Sequence, residues 1–184
     1  MPSLNCREFF AWHACNPEIV KELRKRSAEC LVWESVSASD HSPGPVTPNE
    51  ILYRQVVQPL HVDQETNTLR PVAFSDVANK GLSVDRLKHQ SMESMLDAGK
   101  KRVEAQVAES STLDGRRLYG LAELHVDDIR KIFNAEGLRA FAVFDTARCD
   151  NASHADVCQL VDGKQSGRSA RSNLIDAVKK LVEA

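Results

Sequence analysis

The stretch LRAFAVFD, Leu138 to Asp145, is apolar at nearly every position, with Arg139 the one cation inside it. A strand wet on one side alternates apolar and polar residues. An unbroken apolar run of this length suits a strand covered on both faces. Downstream, ADVCQLVDG (Ala155 to Gly163) reads as another strand, nearer an edge of the same sheet. SARSNLIDAVKKLVEA (Ser169 to Ala184) reads as a closing amphipathic helix, with Leu174, Ile175, Val178, Leu181 and Val182 in one stripe. Each such side chain, fully buried, stabilises by roughly 1.5–3 kcal/mol.

Working upstream, VDDIRKIFNAEG (Val126 to Gly137) predicts a short helix with Ile129, Ile132 and Phe133 inward and Gly137 as its stop. LYGLAEL predicts a strand after a polar turn at Thr112 to Arg117. Ser91 to Glu109 predicts a helix: Met92, Met95, Leu96, Gly99, Val103 and Val107 recur at helical spacing, and Ser91 suits the N-cap. ILYRQVV (Ile51 to Val57) is a β-branched and aromatic strand. VDQETNTLRP is a polar turn. PVAFSD and GLSVDRL are short strand candidates around a turn at Asn79, Lys80 and Gly81.

The N-terminal segment, about Cys6 to Ala28, is helical in pattern. Phe9, Phe10, His13 and Ala14 share a face, and Ile19, Val20 and Leu23 follow Pro17, which separates two helices with Asn16 as N-cap of the second. Lys21, Arg24, Lys25 and Arg26 fall late in that second helix, where cations suit the negative end of its dipole. The stretch SVSASDHSPGPVTPNE, Ser35 to Glu50, is rich in Ser, Pro and Gly and has no periodicity. The organisation expected is a helical element over 1–34, a linker or surface loop over 35–50, and an α+β domain over 51–184. The fold class is α+β: a mixed sheet of about four to six strands packed by helices, with the helical element at the N-terminus.

The bulk numbers fit a globular chain. Its 184 residues are 42% hydrophobic and 27% charged, and the formal charge is −2, so no global positive field recruits nucleic acid. No apolar stretch approaches the roughly 20 residues that span a bilayer. Arg7, Glu8 and His13 interrupt the start, which does not read as a secretory signal. Five cysteines without regular spacing do not form a disulfide framework and suit a reducing cytoplasm.

From Ile51 onward the elements ILYRQVV, LRPVAFSDVANKGLSVDRL, GLAEL, SHADVCQLVDGK and ARSNLIDAVKK resemble a loose set of bacterial proteins sharing an LYR strand, an RP-x-AF element, an LSV element and a closing HA-x-V…G. The resemblance implies a cytoplasmic bacterial protein and no particular activity. The LYR strand with its AF-S element is also similar to ADP-ribosyltransferase-like and RES-type toxin folds. There a first-strand arginine holds a dinucleotide phosphate. The chain departs from those patterns, because no catalytic glutamate or tyrosine can be placed.

Several residues carry candidate chemistry. Arg54 lies mid-strand; its planar fork suits a phosphate or carboxylate clamp, or more plainly an ion pair with Asp76 or Asp85. His61 at the end of that strand and His154 at the start of a later one would form a general acid and base if they shared a cleft. Each is otherwise a locally hydrogen-bonded histidine. GKQSGRS, Gly163 to Ser169, precedes a helix, so Lys164, Gly167, Arg168 and Ser169 could hold an anion. It is a residue too short for a P-loop, and no later strand remains for a Mg²⁺-binding carboxylate. Cys6, His13, Cys15 and Cys30 lack the tight knuckles of a zinc site, and Cys15 and Cys30 read as helix-packing residues. Cys158 lies about 13 Å from His154 by strand rise, too far for proton transfer. Trp12, Trp33, Tyr53 and Phe74 suit the core better than a stacking surface, and acidic residues answer most basic runs.

Two functions follow. The first is a binding or adaptor module whose N-terminal helices dock a protein partner. The second is a phosphate-handling enzyme acting on a nucleotide or RNA, as a toxin or phage-defence effector. In it Arg54 clamps, His61 and His154 exchange protons, and the 163–169 loop holds the anion. No motif calls for a cofactor, a metal or a membrane.

Overall fold

Alternating β-branched and aromatic residues beyond Glu50 build strands that join one sheet. The computed structural model describes residues 4–162 and 164–184, and of residues 111 and 164–166 the backbone alone. In chain order it holds α1 (Cys6–Trp12), α2 (Ile19–Arg24), α3 (Ser27–Trp33), β1 (Ile51–Gln58), a 3-10 segment (Pro71–Ala78), β2 (Leu82–Arg86) and α4 (Met92–Glu109). A short 3-10 turn (Ser111–Leu113), β3 (Arg117–His125), α5 (Val126–Arg130), β4 (Phe141–Phe144), β5 (His154–Gln159), α6 (Lys164–Asp176) and β6 (Leu181–Glu183) follow. The six strands run in the order β4-β5-β2-β1-β3-β6, every neighbouring pair antiparallel. This is an α+β fold with a helical region at its N-terminus.

The two faces of the sheet are covered differently. On the first, Leu52, Val56, Val84, Leu124, Val143 and Val157 meet Phe74 and Val77 of the 3-10 segment, Ile129 of α5 and Leu174 of α6 in one continuous core. The second face has two separate covers. Phe9, Val20, Leu23 and Cys30 of the N-terminal helices sit over Ala142, Phe144 and Cys158. Met95 of α4 sits over Tyr53 and Leu121. Gly99 lets α4 come close: a Cβ there would meet Leu118 at 3.1 Å and Gln55 at 3.2 Å.

Four expectations need correction. PVAFSD is not a strand; Pro71 opens a 3-10 segment in which Ala73, Phe74 and Val77 are buried, and that spacing is helical rather than alternate. β4 is an edge strand, and β5 lies inside it. β4 is still buried on both faces because the N-terminal helices supply its second cover. The helix that follows β3 is shorter than its apolar pattern: α5 ends at Arg130, and Phe133 is 51% exposed in a small hairpin closed by Phe133 and Arg139. The terminal helix starts at Lys164 and ends at Asp176, after which the chain returns to the sheet as β6. Gly167, Arg168 and Ser169 therefore lie within α6, and Gly163 lies outside the described residues.

The segment Ser35 to Glu50 has no helix or strand, yet it is tied down. Arg86, 1% exposed, donates from Nε and Nη2 to the Glu50 carboxylate at 2.7 and 2.9 Å. It also donates to the carbonyls of Gly44 and Pro45. Asp145 Oδ1 lies 3.3 Å from Nη1 as an ion pair without hydrogen-bond alignment. A second node joins α3 to the edge strand: Glu34 accepts from Arg130, Arg139 and the Val143 N–H.

Burial alone would raise the Glu50 pKa, but Arg86 and Thr47 outweigh it and hold the carboxyl at about 2, against an ordinary 4.5. A carboxyl depressed by folding contributes stability that is whole above 4.5 and lost as pH falls toward 2. Glu50→Gln leaves Arg86 buried with Asp145 as its one remaining anion and should lower stability at neutral pH by about 1.5–3 kcal/mol, the range for a hydrogen bond to a charged group. It should also flatten the acid-side fall in stability, and urea unfolding across a pH series measures both.

Candidate functional site

The two covers of the second face leave a strip between them. By strand alternation Gln55, Ser83, Asp85, His154 and Asp156 point to this face, with Ser83 opposite Asp156 and Asp85 opposite His154. A cleft of about 420 Å³ opens between α4 and the 148–153 loop; Gln55, Asp85, His89, Arg102, Arg148 and His154 line it. A second, of about 710 Å³, lies between α1 and the strands, with Phe10, His13, His41, Lys80 and Asp156 in its walls. Ser83, Arg148 and His154 belong to both.

His154 is 5% exposed and its ring is fixed. Nδ1 lies 3.0 Å from the Thr146 carbonyl oxygen and 3.0 Å from Thr146 Oγ1. A carbonyl only accepts, so Nδ1 carries the proton of the neutral ring and Nε2 keeps its lone pair. Thr146 Oγ1 donates to Asp156 Oδ2 at 2.8 Å. Nε2 has no hydrogen-bond partner, and Asp156 Oδ1 stands 3.9 Å away. A donor brought between these two acceptors would satisfy both.

Among the described residues four buried side-chain polar atoms lack a partner: Gln55 Oε1, His89 Nε2, His154 Nε2 and Asp145 Oδ1. The first three belong to residues of the cleft beside α4. Burial, followed by the charge of Arg86, lowers the His89 pKa. Arg102 and Arg148 bring two guanidinium groups to the same cleft, and neither pairs with a carboxylate among the described residues. Partial burial and the like charge of Arg148 lower the Arg102 pKa, against the pull of Asp85. Asp85 is committed to Gln55, Asn151 and Ser153.

Comparison of the chain with protein-family models, with curated proteins and with solved structures finds no match. The site is read from its own atoms.

Arg54 and His154 do line one cleft. Arg54 is already engaged, however. It donates to the carbonyls of Ala73 and Ser83 and pairs with Asp76 at 3.6 Å, filling the place where the β1–β2 ladder stops at Tyr53 and Asp85. Burial lowers its pKa, and Asp76 opposes that. His61 does not line the cleft; its Nδ1 accepts the Val57 N–H at 3.0 Å. Gly167 packs on Gln159, where a Cβ would come within 2.7 Å of the amide nitrogen. Arg168 and Ser169 are exposed on α6, and the Lys164 side chain lies outside the described residues. Cys15 is exposed rather than packed, whereas Cys30 is buried. Among the described residues no group of three or more His, Cys, Asp or Glu is placed to hold a metal ion.

Sequence reasoning missed Gln55, Arg102, Thr146, Arg148 and Asp156, and took Asp85 only as a partner for Arg54, which pairs with Asp76 instead. A signal for some was present: LSVDR and HADVCQ each carry polar residues two apart on a strand, one polar stripe on an otherwise apolar sheet. Arg102 and Arg148 carry no such signal, because helix and loop positions do not reveal which strand they face.

Burial, followed by repulsion from Arg54, holds the His61 pKa at about 4 rather than 6.5. A histidine kept neutral by folding contributes stability that is whole above 6.5 and lost as pH falls toward 4. His61→Asn, whose Oδ1 can accept the Val57 N–H, should fold at neutral pH and lose less stability than the parent over that interval. Thermal melts from neutral to mildly acidic pH check this.

Proposed function

We propose that the cleft beside α4 binds a phosphate-bearing ligand of the nucleotide class. The observation that carries this reading is the convergence of two guanidinium groups, Arg102 and Arg148, with Gln55, His89 and His154 atoms, all of them without partners among the described residues. Guanidinium forks match phosphate oxygens, and a buried polar atom without a partner is stabilised by any ligand group that completes it. Gln55 Oε1 and His154 Nε2 are acceptors, suited to the amino and hydroxyl donors of a nucleoside. The volume lies within the usual range for small-molecule sites. The five cysteines are all free, which accords with a reducing cytoplasm. No described helix is long and apolar enough to cross a membrane.

One observation favours a protein partner as a second reading: Trp12 is 79% and Val32 67% exposed on the N-terminal helices. Concentration-dependent sedimentation that Trp12→Ser abolishes would support self-association through this surface, and an unchanged profile would count against it.

For the cleft, calorimetric titration with 5′-nucleoside monophosphates and with the matching nucleosides is the test. The monophosphates should bind and the nucleosides should bind much more weakly. Arg102→Ala and Arg148→Ala should each weaken monophosphate binding by about tenfold or more, as expected for a charge-assisted hydrogen bond. Equal affinity for nucleoside and monophosphate, or no binding by either, overturns the reading.

A further inference from the structure

We propose, resting on the reading above, that the ligand is single-stranded RNA and that the protein cleaves it at His154. The two clefts meet at Ser83, Arg148 and His154, so a ligand seated beside α4 has a continuous path toward α1. A mononucleotide fills one cleft; a strand of nucleotides is needed to occupy both. The second cleft suits the continuation of that strand. Lys80, His13 and His41 line it with the shared Arg148, and Phe10 offers a ring for base stacking. Asp40 and Asp156 are its acidic residues, with Asp40 paired to Arg7.

His154 stands where the two subsites join, and it is built to accept a proton. The Thr146 carbonyl fixes the Nδ1–H tautomer, while Nε2 is buried, unpartnered and next to Asp156. In an RNA strand the donor that can meet Nε2 beside a phosphate is the ribose 2′-hydroxyl. Nε2 takes that proton, the 2′-oxygen bonds to the adjacent phosphorus, and the bond from phosphorus to the 5′-oxygen breaks. The 5′-oxygen takes a proton from solvent, and the imidazolium returns its own to water. The products are a 2′,3′-cyclic phosphate and a 5′-hydroxyl, and no co-reactant is consumed. Arg148 borders both subsites and is placed to hold the non-bridging oxygens as charge develops on them.

The test uses an end-labelled single-stranded RNA oligonucleotide, the full chain and a buffer containing EDTA. Products should carry cyclic phosphate and 5′-hydroxyl ends, and a single 2′-deoxy substitution at the cut position should block cleavage there. His154→Gln, assayed with enzyme saturated by the oligonucleotide, should cleave it at least about 100-fold more slowly, the usual contribution of a positioned general base. Lys80→Ala should weaken binding of the oligonucleotide by a larger factor than it weakens that of a mononucleotide. Oligonucleotide that is bound but left intact overturns cleavage and leaves the binding reading standing, as does equal cutting by His154→Gln or of the 2′-deoxy strand. An oligonucleotide bound no tighter than a mononucleotide overturns the polymeric ligand. Failure of every phosphate probe to bind removes the reading beneath both. The 2′-deoxy arm needs no protein variant, so it decides even if His154→Gln fails to fold.

Discussion

The buried guanidinium of Arg86 is the constraint on which the rest of this structure depends. A charge at 1% exposure is tolerable only when its donors are met, and Glu50, Gly44 and Pro45 meet four of them while Asp145 lies alongside. These partners come from the irregular segment before β1 and from the chain leaving β4. One side chain therefore fixes a loop with no periodicity of its own. The same node reaches the cleft. Asp145 precedes Thr146, the residue that orients His154, and Asp85, next to Arg86, faces the opposite side of the sheet. Alternation along β2 thus places a structural charge on one face and a cleft residue on the other.

The asymmetry between the two faces explains where a site can exist. The first face is closed by one continuous apolar core, which supplies most of the hydrophobic stabilisation. The second is closed in two pieces, and the polar stripe of Ser83, Asp85, His154 and Asp156 lies where neither piece reaches. Extending either cover over this stripe would bury carboxylates against apolar side chains, at a cost of several kcal/mol per unpaired charge. The cleft is a consequence of strand sequence as much as of helix placement.

The α+β class, β1, β2, β3 and α4 were legible because their periodicity is local: alternate positions for a strand, three-to-four spacing with Ser91 as cap for α4. LRAFAVFD was legible as a doubly covered strand but not as an edge, because the cover comes from helices more than a hundred residues earlier. PVAFSD misleads because a short apolar run around Pro71 fits strand and helical turn alike, and the burial of Ala73, Phe74 and Val77 decides only in three dimensions. The end of α6 was hidden because Leu181 and Val182 continue the helical stripe of Leu174 and Val178 while pairing with β3. In the site, His154 and Arg54 were visible as unusual residues on strands. Their states were not: whether a polar side chain is free or engaged depends on carbonyls brought by other elements, such as Ala73 for Arg54 and Thr146 for His154.

Engagement marks the arginines that hold the scaffold together. Arg54, Arg86, Arg130 and Arg139 each meet a carboxylate or a carbonyl, and each joins elements distant in sequence. Arg102 and Arg148 meet none among the described residues, and they border the cleft that also holds three of the four unpartnered buried atoms. Each such atom costs about 1–3 kcal/mol relative to a satisfied one. A packed protein has ready means of avoiding that cost, through a water-filled opening or an apolar replacement. Its concentration at one place, beside two exposed guanidinium groups that form no ion pair among the described residues, is the physical pattern of a site suited to a ligand that brings both donors and negative charge.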